Sequence, residues 1–187
     1  MTAARRHTVT IASVEDLYWK LVWDVLRLDD IQRGGTKDPE PLAYAAINVC
    51  IAAVSLRDWT VAALLGPDAT KAEKIGLYEK IRASVAAQVM CEAVANTAKH
   101  SSFREDRWIG GSLSIVDVPA DEDDPGGLRL QLSPPQPSGG IALNAFLTME
   151  EEWWTTLQNL GIGFPRRPPE WRQRQLRAIF GTPDRIC

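Results

Sequence analysis

Apolar positions along the chain recur mostly at helical spacing. Leu17, Leu21, Val22, Val25, Leu26 and Leu28 fall on one face of a helix that starts at Ser13, with Asp16 in a capping-box-like position, and ends before Arg33-Gly34-Gly35. A longer helix follows over about 40–65, with Asp38 as its N-cap, Pro39 in its first turn and Gly66-Pro67 closing it. Leu42, Ala45, Ala46, Val49, Cys50, Ala53, Leu56, Trp59 and Ala63 keep the period, broken by Asn48, Ser55, Arg57, Asp58 and Thr60. A helix apolar around so much of its circumference belongs at the centre of a bundle. Asp68 or Thr70 starts the next helical segment, 71–82, whose continuity Gly76 weakens. It leads, directly or through a bend near Gly76 or Ser84, into 83–103, the longest Ala-, Val- and Met-rich run, free of Gly and Pro. The matching small residues of 40–65 and 83–101 predict close antiparallel packing.

Beyond 103 the period changes. Leu113 and Ile115 suggest a strand over 112–118, and Leu128, Leu130 and Leu132 alternate with Arg129 and Gln131, a half-buried strand pattern. An acidic turn (121–127) separates these two runs, and a Pro-rich loop (133–140) leads to a third expected strand at 141–146. Thr148 then caps a helix through Trp153, Trp154 and 157–160. After a linker at 161–168, a short helix is expected over 169–180, stopped by Gly181. The fold class is therefore α+β, mainly α: a bundle of long antiparallel helices with a small appended antiparallel β-sheet and a C-terminal helix. One domain is expected over 1–187, divided into a helical bundle (13–103), a β meander (111–147) and C-terminal helices and tail (148–187), after a loose N-terminal arm.

Composition narrows the function classes. The 187 residues carry a net charge of −3, which argues against a protein that coats nucleic acid non-specifically but leaves room for a local basic patch. No run is read as a membrane span, and the N-terminus lacks the apolar core of a signal peptide, so a cytoplasmic chain without membrane partners is expected. Cys50, Cys91 and Cys187 have no metal-ligand spacing. Cys50 and Cys91 sit in apolar helical runs and read as small buried hydrophobes. Asp121 to Asp124 lack the ligand order of a Ca²⁺ loop. There is no phosphate-binding Gly loop or nucleophile elbow, and no cofactor or metal is expected.

The chemistry gathers at the end of the 83–103 run, in Asn96-Thr97-Ala98-Lys99-His100. At about 100° per residue, Val85, Val89, Glu92, Asn96, Lys99 and His100 share one stripe, apolar at its start and polar at its end. Two readings fit. Lys99 and His100 lie in the last turn, where cations interact favourably with the helix dipole, and Asn96 could bond a neighbouring element. Alternatively the group is a site, with Asp58 on the preceding long helix as the partner expected to orient His100.

The Asn-x-x-x-His spacing of Asn96 and His100 resembles the motif of HEPN-type proteins, many of which carry Arg-Asn-x-x-x-His there and act as metal-independent RNases in toxin–antitoxin or antiphage systems. Asn96 and His100 match; position 95 is Ala95, not Arg. The form Asn-x-x-Lys-His is also similar to bacterial helical proteins with an Asp-Trp pair on the preceding helix, as in Asp58-Trp59 here. The resemblance covers about 14–103 and implies an RNA partner, a composite site in a homodimer, and His100, Asn96, Lys99 and Asp58 as site residues. His100, with an unperturbed pKa near ~6.5, could shuttle the proton of a 2′-hydroxyl attack. Without the Arg, Lys99 would have to stabilise the developing phosphate charge, less well than a bidentate guanidinium.

The second function class is a non-catalytic helical interaction protein in which the same cluster caps and registers helices. Trp153, Trp154 and Trp171, with Arg166, Arg167, Arg172, Arg174, Arg177 and Arg185, make the last third a candidate protein- or RNA-contacting segment. His7 has no partner motif, and Trp59 reads as a core anchor.

Overall fold

A computed structural model of the chain describes residues 11–100, 107–122, 126–133, 140–165 and 170. The expected N-terminal arm with His7, the 169–180 helix with Trp171, the tail arginines and Cys187 lie outside these residues. The architecture is α+β and mainly α, with helices α1 (Val14–Arg33), α2 (Pro39–Leu65), α3 (Lys71–Ser84), α4 (Gln88–Lys99) and α5 (Ala142–Asn159). Strands β1 (Ser112–Val118) and β2 (Gly127–Ser133) lie between α4 and α5 in sequence.

Local chemistry sets most of the helix ends. Ser13 and Asp16 form a reciprocal capping box at α1, and Thr70 and Glu73 form another at α3. Pro39 occupies the first turn of α2, and Gly66 ends it at φ 73°, a conformation that costs a residue with a Cβ. Gly76 does not interrupt α3.

α1 and α2 form an antiparallel hairpin of helices, with Leu21, Val25 and Leu28 of α1 and Leu42, Ala45 and Val49 of α2 all buried. α4 then packs along α2 in the opposite direction. Ala43, Ala46 and Ile47 lie beside Thr97 and Ala98, while Arg57 reaches Glu92 near the other end of α4. Cys50 and Cys91 meet between them, both fully buried, and Cys91 Sγ lies 3.5 Å from Met149 Sδ of α5. The antiparallel α2–α4 packing is as the small-residue faces predict.

Three expectations need correction. The run from 83 is not one helix. Val85 adopts φ −123°, ψ 97° and is fully buried, so the chain turns through Ala86 and Ala87 before α4 begins. The Glu152 carboxylate of α5 accepts from the Ala86 N–H at 2.8 Å and fixes this turn. The third strand at 141–146 is also absent. Ile141 makes a single bridge to Gln131, and α5 starts at Ala142, so Thr148 lies inside the helix rather than at its cap. Ala142, Leu143, Phe146, Met149 and Trp153 are buried at helical spacing, and that longer period decides the element. Finally, α2 is long and apolar enough by length and composition to cross a membrane, with a mean hydropathy of 1.4. Here it is the helix between α1 and α4.

β1 and β2 form a two-stranded antiparallel sheet with Leu113 opposite Leu132 and Ile115 opposite Leu130. Leu130 and Leu132 are buried, and β2 docks on α5. On the other side of α5, Trp154 joins Tyr18 and Phe164 in an aromatic cluster with ring centroids 5.1–5.6 Å apart. The tryptophan pair thus divides its work: Trp153 fills the core and Trp154 pins the segment after α5 to α1.

Candidate functional site

α4 presents its polar groups in two different settings. Glu92 points inward and its side chain is only 3% exposed. Arg57 Nη1 of α2 lies 2.7 Å from its Oε1, while Arg82 of α3 donates to its Oε2 from Nε at 2.9 Å and Nη2 at 2.7 Å. Gln88 Nε2 adds a donor at 3.3 Å. Arg82 also donates to Glu79, which accepts from Arg107 at 3.1 Å, and Arg57 donates from Nε and Nη2 to Asp58 Oδ1. The Tyr78 ring lies 4.6 Å from the Arg57 guanidinium and 5.8 Å from that of Arg82.

Three guanidiniums and three carboxylates therefore balance within one network. Burial alone would raise the Glu92 carboxyl, but the Arg82 hydrogen bonds and the Arg57 charge outweigh it and hold Glu92 below its ordinary range. Burial pulls Arg57 down, and Glu92 and Asp58 more than restore it. A carboxylate saturated by donors in this way is a poor base. Its role is to join α2, α3 and α4, and removing one partner would strand a buried charge.

The C-terminal end of α4 is the second setting. Asn96 is half-buried, and Lys99 and His100 are exposed. His100 caps the helix in an extended conformation, its N–H donating to the Asn96 carbonyl at 2.9 Å. Lys99 lies in the last turn, where its charge complements the helix dipole. Ala95, at the position of the HEPN motif's Arg, is fully buried, so no side chain from that position reaches the helix end.

The structure brings Asn96, Lys99 and His100 to one helix end but does not bring Asp58 to them. The antiparallel packing sets Ala43 beside Ala98, and Asp58 lies fifteen residues further along α2, about 22 Å at a rise of ~1.5 Å per residue. Asp58 is held instead by Arg57 and bonds Tyr78, whose hydroxyl burial and the Asp58 charge push upward in pKa. The shared stripe also divides. Val85 and Glu92 turn inward, and Val89 lines a cleft together with Trp108 and Leu132.

The Glu92 network was missed as a network by sequence reasoning. Its signal was an acidic residue inside an apolar run on α4 and an arginine on the nearly all-apolar α2. Among the described residues, no group of three or more His, Cys, Asp or Glu side chains is placed to hold a metal ion. Compared with protein-family models, with curated proteins and with solved structures, the chain matches none.

Proposed function

We propose that the exposed end of α4 is an RNA-contacting site and that the chain is an HEPN-like, RNA-associated protein with weak or degenerate metal-independent RNase chemistry. The observation that carries this reading is the exposure of His100 and Lys99 together, one turn beyond Asn96, at the C-terminal end of α4. His100 would move the proton of the attacking 2′-hydroxyl, and Lys99 would meet phosphate charge. With Ala95 buried, the position of the motif's Arg supplies no cation to this helix end. A second copy facing the first would supply a second Lys99–His100 pair. An RNA partner fits a cytoplasmic chain, in the defence or toxin–antitoxin setting that the resemblance suggests.

The second reading, a non-catalytic interaction protein, draws on the same separation of Asp58 from His100. A ribonuclease assay on single-stranded RNA in the presence of chelator, wild type beside His100→Ala, tests both. Cleavage by the wild type that His100→Ala abolishes supports the RNase. RNA binding without cleavage leaves an RNA-associated protein, and the absence of both overturns the proposal.

A further inference from the structure

α2 and α4 each bury one cysteine, and the register of the pair brings the two together. Ala43 and Ala98 line one groove between these helices. Cys50 lies seven residues further along α2 and Cys91 seven residues back along α4, about two helical turns in each case. Antiparallel packing therefore sets both cysteines at one level. Both are fully buried, and the Cys91 thiol is in hydrogen-bond contact with that of Cys50. Buried alanines flank each of them by one turn, Ala46 and Ala53 on α2 and Ala87 and Ala95 on α4. Such small neighbours let the backbones approach closely, and a disulfide needs Cα atoms within about 7 Å.

The surroundings keep Cys91 quiet while the helices are packed. Met149 Sδ of α5 lies 3.5 Å from its Sγ. Burial, with the Cys50 contact, pushes the Cys91 thiol well up in pKa, so it holds its proton. The thiolate is the nucleophile, and a buried thiol of this kind reacts only when the packing opens.

We propose that Cys50 and Cys91 are an oxidisable pair, which a peroxide converts into a disulfide that ties α2 to α4. On local opening one thiol loses its proton and attacks the peroxide, giving a sulfenic acid and water. On reclosure the partner sulfur attacks the sulfenic sulfur, and a second water leaves as the S–S bond forms. Two thiols and one hydrogen peroxide thus give one disulfide and two waters, with two electrons passing from sulfur to oxygen. The bond closes a loop over the forty residues between the cysteines and so restricts the unfolded chain. This inference does not depend on the RNA reading.

The test treats the folded full chain with a small excess of hydrogen peroxide, blocks the remaining thiols with iodoacetamide in denaturant, and maps the tryptic peptides. Peptide 38–57, which carries Cys50, should be joined to peptide 83–99, which carries Cys91, two hydrogens lighter than the separate pair. The melting temperature should rise by at least about 5 °C and return to its starting value with dithiothreitol. Cys50→Ala and Cys91→Ala, each with an unchanged helical circular dichroism spectrum, should lose both the joined peptide and the rise. Cysteines that stay open to alkylation, go on to sulfinic acids or join Cys187 instead overturn the pair. A joined peptide without a higher melting temperature overturns the tie between α2 and α4.

Discussion

Arg82 grips Glu92 through Nε and Nη2, at 2.9 and 2.7 Å to the same carboxylate oxygen, across the turn that separates α3 from α4. This pair, completed by Arg57, holds the two short helices at their angle to α2. It also explains why the run from 83 breaks where no Gly or Pro breaks it. Val85 is buried at the turn, and Glu92 then reaches both arginines.

Glu92→Ala should therefore be severely destabilising. Removing one partner of a buried ion pair typically costs about 3–5 kcal/mol, because the stranded guanidiniums keep their desolvation cost. A chemical-denaturation series would show this as a lower midpoint at unchanged slope. A change below about 1 kcal/mol would mean that the network is solvated in solution.

The same carboxylate predicts an acid limit. The folded Glu92 pKa is depressed, so its contribution to stability is fully present above the unfolded value of about 4.3 and is lost as pH falls through the folded value. The melting temperature should thus decline below about pH 4, and Glu92→Gln should flatten that decline. An acid limb of the same slope in Glu92→Gln would assign it to other carboxylates.

Gly111→Ala should disturb the segment before β1. The new Cβ would overlap the Trp108 indole at 2.2–2.5 Å, and overpacking of this kind typically costs about 1–3 kcal/mol. Tryptophan emission should shift to the red as Trp108 leaves its half-buried position. An unchanged spectrum and midpoint would show that the ring moves aside freely.

Ser13→Ala and Thr70→Ala should each cost about 1 kcal/mol, since each removes the hydroxyl of a complete capping box. Asp38→Ala should cost less, because Asp38 makes no side-chain bond to α2. Equal losses at all three positions would contradict this ordering.

Local signals were legible in the sequence. Ser13 with Asp16, Pro39, Gly66 and the alternation of Leu128, Leu130 and Leu132 each mark an element through interactions within a few residues. The sequence alone leaves a bend near Gly76 or Ser84 as one alternative, because the break at Val85 depends on Glu152, 66 positions from Ala86, and on Arg82 meeting Glu92. The segment 141–146 is too short for its apolar run to separate strand from helix; Met149 and Trp153 settle it by extending the period. At the candidate site, the placing of Asn96 and His100 one above the other followed from helical spacing alone. The position of Asp58 did not, because it depends on the register of α4 against α2.

The central claim is that α4 carries a structural acid at Glu92 and a functional pair at Lys99 and His100. RNA binding by fluorescence anisotropy, measured together with the melting temperature for wild type, His100→Ala and Lys99→Ala, tests it most directly. The account predicts that both variants lose at least about tenfold in affinity, or about 1.4 kcal/mol, while their melting temperatures stay within about 2 °C of wild type. Full RNA affinity in both variants, or a melting temperature that falls in step with affinity, would contradict it and leave the end of α4 as a helix cap.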